Sequence, residues 1–209
     1  MWGKKEQIVF WGTAYLPLLL IMIYRFVDSK DYFKKTNIAI WLAKHIDKVL
    51  FDTIIFGFII VISLLLYRKV SKWYFDELEV ELYKGDRGRT FYIRKYKKIS
   101  ANEYTFFLMT LLLPLFSLDH SSIINFLVAV LIIVVVISIY VNTNFIIVCP
   151  LFFISGRYVY EGIISEYSKE EEEKNSSLRK SVYIITNEKY LDLNNQFRCV
   201  KLIDNIYYV

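Results

Sequence analysis

The chain offers few residues whose type and spacing could do chemistry. Its two histidines, His45 and His120, stand far apart with no third ligand beside either, so a metal site lacks donors and pH sensing has little to rest on. Cys149 and Cys199 show no metal-ligand spacing and read as reduced packing residues. No nucleophile beside a base, no paired catalytic carboxylates and no nucleotide fingerprint occurs, so neither an enzyme nor a cofactor is expected. What remains is the chemistry of recognition. Arg94-Lys95-Tyr96-Lys97-Lys98 runs just ahead of an apolar stretch, where cations either fix topology or attract anionic lipid headgroups at ~1 kcal/mol each. Asn142, Thr143 and Asn144 cluster inside an apolar run, where amides pack helices together or line a narrow pore. Arg87 and Arg89, with the acidic run Glu170, Glu171, Glu172 and Glu173, offer both signs of charge to a protein partner. The Gly85-Asp86-Arg87-Gly88 core lacks the strand-to-helix context of a phosphate loop and reads as a surface turn.

The elements that position these residues are mostly apolar. Of 209 residues, 56% are hydrophobic and the mean hydropathy is +0.36, above the ~45–50% apolar content of soluble domains. The excess sits in four runs: Ile8–Val27, Val49–Tyr67, Tyr104–Leu118 and Ile123 to about Val148. Each approaches the ~20 residues a membrane-crossing helix needs. Ser100-Ala101-Asn102-Glu103 fits a capping box, which lets the third helix begin at Ala101. Pro150 is expected to end the fourth, leaving Leu151, Phe152 and Phe153 in the interface. Pro17 and Pro114 fall within the first and third runs, where kinks are tolerated if neighbours satisfy the freed carbonyls. No small-residue cleavage site follows Lys4 and Lys5, so the first run reads as a retained anchor.

The net charge of +5 takes its meaning from how it divides across a membrane. Residues 68–103 are rich in Lys and Arg, whereas Asp119-His120-Ser121-Ser122 holds neither. Placing the basic loop inside puts both termini in the cytoplasm. The moderately basic loop from Arg25 to Lys48 is the one count against this. Within it, Ile38–Phe51 has helical apolar spacing with a polar face and reads as an interfacial helix or an extension of the second span, with a ligand-sensing outward surface as the alternative.

The polar segments carry strand patterns. Leu78–Leu82 and Phe91–Arg94 alternate about the glycine turn, a hairpin signal. Tyr158–Tyr160, Ser181–Thr186, Phe197–Ile203 and Ile206–Val209 are rich in Tyr, Ile and Val, with a turn at Asn194-Asn195. The stretch Ser168–Ser177 reads as a mobile polar loop. Neither segment alone holds enough strands for a core. The expected fold is therefore an integral membrane protein of four transmembrane helices with one small cytoplasmic antiparallel β module, built from the 2–3 loop and the C-terminal tail. In order, these are residues 1–67 (two spans and an outer loop), 68–99 (the β-hairpin loop), 100–154 (a helical hairpin) and 155–209 (the β tail).

Together, the four spans, Ser100-Ala101-Asn102-Glu103-Tyr104 leading into a proline-bearing third span, and Pro150-Leu151-Phe152-Phe153 passing through Gly156-Arg157-Tyr158-Val159-Tyr160 to a β tail resemble the KwaA family of the Kiwa anti-phage system. That resemblance implies an inner-membrane component of a phage-defence complex, which oligomerises and works with KwaB, a cytoplasmic DNA-binding partner. It carries no catalytic residues. The expected function is a membrane sensor or scaffold that contacts lipid, forms a homo-oligomer (a tetramer as working hypothesis) and recruits a cytoplasmic protein, without direct nucleic-acid binding. A pore-forming effector and a small transporter subunit are the alternatives. The spans carry no ionisable group at depth, which argues against ion-coupled transport.

Overall fold

The computed structural model describes residues 2–30, 47–85, 87–116 and 122–209. Most of the amphipathic segment at Ile38–Phe51, both histidines and the end of the third apolar run lie outside the described residues. Helix α1 spans Lys4–Ser29, α2 Lys48–Lys84, α3 Ala101–Phe116 and α4 Ile123–Asn142. Three of these, α1, α2 and α4, are long and apolar enough to cross a membrane. Helix α3 is apolar and has 16 described residues, so among the described residues three helices, not four, reach the length of a span. It starts at Ala101, as the cap predicts, with the Asn102 N–H donating to Ser100 Oγ at 3.3 Å. Pro17 and Pro114 both lie inside continuous helices. Helix α1 is central, packing against α2 and α4, and α4 packs against α3.

Two helix ends differ from expectation. Leu78–Leu82 is not a strand of a hairpin but the last turns of α2. Its alternation is equally a helical pattern, because Phe75, Leu78 and Leu82 recur on one face and pack into the core. Leucine and glutamate are good helix formers, and extending an existing helix avoids the cost of nucleation. Gly85, at φ 81°, ends it in the left-handed region with its N–H returned to Leu82 O at 3.2 Å. Helix α4 stops at Asn142, well short of Pro150. The Thr143 hydroxyl donates back to Ile139 O at 2.9 Å, and Asn144 adopts φ 53°, a conformation asparagine tolerates better than most residues. A 3-10 turn at Ile146–Val148 and the short helix α5, Leu151–Ile154, follow. Leu151 and Phe152, expected in the interface, are fully buried between the helices and the strands.

The strands are β1 (Arg89–Lys98), β2 (Tyr158–Ser165), β3 (Lys180–Thr186), β4 (Gln196–Ile203) and β5 (Ile206–Tyr208). They close into one barrel in the order β1-β2-β3-β5-β4, in outline the five-stranded arrangement of OB barrels. Both polar segments contribute to it, as expected, but it is not purely antiparallel. The Asp204-Asn205 turn folds β5 back against β4, so β5 must run parallel to β3, pairing Tyr183 with Ile206 and Ile185 with Tyr208. Closure leaves no open sheet edge. The α3–α4 hairpin is an insertion in the β1–β2 connection. Ser168–Ser177 is not a plain loop: Ser168 and Glu171 form a capping box that starts helix α6, Lys169–Lys174.

Two apolar clusters hold this together. One fills the barrel, with Phe91, Ile93, Tyr160, Ile164, Val182, Ile184 and Cys199. The other joins Phe10, Phe75, Leu78 and Phe152 to Val159, Ile185, Leu202 and Tyr208 on the outside of the strands. The barrel is thereby packed against the helices.

Candidate functional site at the helix–barrel junction

The chain leaves α5 through Ser155 and Gly156, the latter at φ 77°. The Arg157 N–H closes this turn on Phe152 O at 2.9 Å. A left-handed residue is needed here, and glycine supplies it without strain. The turn aims the Arg157 side chain along α2, where Ser71, Phe75 and Glu79 recur every fourth residue and so share a face. The guanidinium donates from Nη1 to Ser71 Oγ at 3.0 Å and from Nη2 to Glu79 Oε1 at 2.7 Å. Between these contacts it lies 4.0 Å from the centre of the Phe75 ring. Its side chain is 8% exposed.

Glu79 is the acceptor on which three elements converge. It receives the Tyr208 hydroxyl from β5 and Asn187 Nδ2 at 2.8 Å as well as Arg157. Burial alone would raise its carboxyl pKa, but the hydrogen bonds from Tyr208, Arg157 and Asn187, with the arginine charge, outweigh it and hold the group below its ordinary value. Tyr208 is raised, by burial first and then by donating to Glu79. Beneath the ion pair, Phe75 packs on Phe10, Phe152 and Tyr208 at centroid distances of 6.1, 6.0 and 5.0 Å.

A second tie lies at the end of α4. Asn144 Oδ1 accepts from Gln7 Nε2 of α1 at 2.8 Å, and its Nδ2 donates to Asp204 Oδ2 in the β4–β5 turn at 2.5 Å. Lys4 Nζ donates to Asn142 Oδ1 at 2.9 Å. One turn of polar residues thus links α1, α4 and the barrel. A third tie comes from Arg198 of β4, which donates to the backbone carbonyls of Arg87 (2.9 Å from Nε) and Gly85, seizing the end of α2.

The remaining sequence candidates fall elsewhere. Arg87 pairs with Glu81 at 2.9 Å, and Arg89 approaches Glu166 at 3.8 Å, with both arginines mainly exposed. Glu170 and Glu173 are exposed on α6, and Glu171 is exposed in its cap. Glu172 is not part of that surface: its carboxylate has no exposed area and accepts from Arg94 Nε at 2.7 Å and Arg179 Nε at 2.9 Å. Burial raises its pKa, but hydrogen bonds from Arg179, Arg94 and Ser165 bring it below the ordinary value. Arg94, read as facing lipid headgroups, is 12% exposed and spends its charge on Glu172. Lys97 pairs with Glu161 at 2.9 Å, while Lys95 and Lys98 stay exposed. Cys149 and Cys199 are both buried, and burial pushes the Cys199 thiol up to about 12.

Sequence reasoning missed Arg157, Glu79 and Ser71. The recurrence of Ser71, Phe75 and Glu79 at four-residue steps is the available signal, and the strand-like alternation of Leu78–Leu82 masks it. No curated protein and no solved structure matches the chain. The family model described as anti-phage protein KwaA matches residues 6–208. The chain belongs to the KwaA family of anti-phage proteins.

Proposed function

We propose that the protein is a membrane-embedded scaffold of a bacterial phage-defence complex, with its barrel and both termini in the cytoplasm, which recruits a cytoplasmic partner. The supporting observation is the junction: α2, a helix of 37 residues whose first half is apolar and whose second half is charged, is bolted to the barrel by Arg157, Glu79 and Tyr208. A rigid tie of this kind lets a change in helix packing move the barrel as one body. The barrel end opposite the inserted hairpin is its docking surface. By strand pairing, Arg89, Glu166 and Lys180 meet there, and α6 adds Glu170, Glu171 and Glu173. Mixed charge on such a surface favours specific association over general adhesion.

Family membership supports KwaB, the DNA-binding component of Kiwa, as the partner, so nucleic acid would be engaged through it. The role is non-catalytic, and the unit is a homo-oligomer in the inner membrane, with a tetramer as working hypothesis. The pore and transporter readings have less support, since the Asn142 and Asn144 amides are engaged within the protomer.

The test is charge reversal of Arg87 and Arg89 to glutamate in the full chain. The variant is expected to insert normally, capture less partner in pull-down and protect less against phage. Intact capture together with intact protection overturns this docking surface.

A further inference from the structure

We infer that the cleft between α2 and the α5–β2 turn is a binding site for the headgroup of an anionic glycerophospholipid, of the phosphatidylglycerol type. This rests on the membrane reading above. The cleft has a volume of about 380 Å³ and is lined by Arg68, Ser71, Lys72, Asp76, Ser155 and Arg157, with Ile154 and Gly156. A volume of that order suits a small-molecule headgroup.

Position comes first. Arg68, Lys69 and Lys72 are the first cations after the apolar window of α2; Arg68 and Lys72 are the two that line the cleft, and Trp73, 71% exposed, stands beside them. Tryptophan with arginine or lysine at the end of an apolar helix marks the level of lipid headgroups. The cleft therefore opens at the depth where a phosphodiester sits.

Charge comes second. Among the described residues Arg68 and Lys72 have no ion pair, while Arg157 is neutralised by Glu79. Two free cations against the single carboxylate of Asp76 leave the lining net positive, which favours a headgroup of net negative charge. The phosphodiester oxygens would take Arg68 and Lys72. The glycerol hydroxyls have Asp76 and the Ser155 Oγ as acceptors, the Ser155 hydrogen itself going to Phe152 O at 2.9 Å. Gly156 keeps the floor open, since a Cβ there would meet nothing within 4 Å. A lipid seated here would touch both α2 and the turn that carries Arg157, so it would brace the junction.

The test uses the full chain in detergent, with native mass spectrometry and thermal denaturation in phosphatidylglycerol, phosphatidylethanolamine or phosphatidylcholine, and separately in inorganic phosphate. The wild type should retain phosphatidylglycerol preferentially. Arg68→Gln with Lys72→Gln should lose roughly fivefold in retention per cation, about 25-fold for the pair. Lys169→Gln with Lys174→Gln, at the far end of the barrel, should lose none. Equal loss in both pairs, equal retention of phosphatidylethanolamine, or stabilisation by inorganic phosphate alone overturns the site. Carbonate extraction of the wild type keeps the two readings apart. Release from membranes defeats the membrane reading, whereas retention with an unchanged lipid preference in the Arg68/Lys72 variant defeats only the lipid site.

Discussion

Arg157 and Glu79 are 78 residues apart in the chain and 2.7 Å apart in space, and that contact joins the strand entering the barrel to the helix leaving the apolar bundle. An arginine so enclosed cannot lose its partner cheaply, because a charge without compensation would remain buried. Glu79→Gln is expected to cost about 1.5–3 kcal/mol of stability in detergent, the range for hydrogen bonds to charged groups. The ~3–5 kcal/mol of a wholly buried pair is too much here, since the Glu79 side chain is 36% exposed. Arg157→Met with Glu79→Gln should cost less than the sum of the single changes. An additive double mutant would show that the two residues do not act as a unit.

Acid should open the same junction. Glu79 and Glu172 both have carboxyl pKa values held below the ordinary 4.5 by donated hydrogen bonds. For a group depressed on folding, the stabilisation is fully present above the unfolded pKa and is lost as pH falls through the folded one. Thermal stability should thus hold from neutrality down to about pH 4.5 and decline below it. Glu79→Gln with Glu172→Gln should start lower and decline less steeply. Stability that rose on acidification would contradict the assigned sign.

Much of this fold was legible in the residues and some of it was not, for identifiable reasons. Apolar runs of near-membrane length showed where α1, α2 and α4 lie, because hydropathy over twenty residues has few other uses. Ser100 fixed the start of α3 because capping is local. The end of α2 was misread because Leu78-Glu79-Val80-Glu81-Leu82 satisfies both periods over so short a window, and only the Phe75–Leu78–Leu82 face decides between them. The closed barrel was beyond reach, since the parallel β3–β5 pair depends on a turn at Asp204 that long-range packing selects. In sequence Glu172 is one of four equivalent acids; what sets it apart is Arg94, 78 residues away, which with Arg179 encloses its carboxylate.

Orientation can be tested with two single cysteines, because native Cys149 and Cys199 are buried and should give little background. Asn175→Cys, at the exposed end of α6, should resist a membrane-impermeant thiol reagent in intact spheroplasts. Lys30→Cys, just past the other end of α1, should react. Labelling at position 175 from outside would reverse the assignment of the barrel to the cytoplasm.

Asn144 offers the sharpest separation of anchoring from conduction. Its amide bridges Gln7 to Asp204, and its backbone lies at φ 53°. Asn144→Gly keeps the backbone comfortable and removes both hydrogen bonds, so it isolates the tie between α1 and the barrel; the expected cost is about 1–3 kcal/mol. Asn144→Leu loses the bonds and adds the strain of a left-handed branched residue, about 1–2 kcal/mol more. If Asn144 serves as an anchor, protection against phage should fall in step with stability, in the order wild type, glycine, leucine, and membrane potential should not change independently. Asn142→Leu, which gives up only an exposed bond from Lys4, should be nearly silent. Were the asparagines a pore lining instead, Asn142→Leu would abolish ion flux and protection while leaving the melting temperature where it was. Measuring protection, membrane potential and thermal stability on the same three variants decides between the two, since only an anchor makes function follow stability.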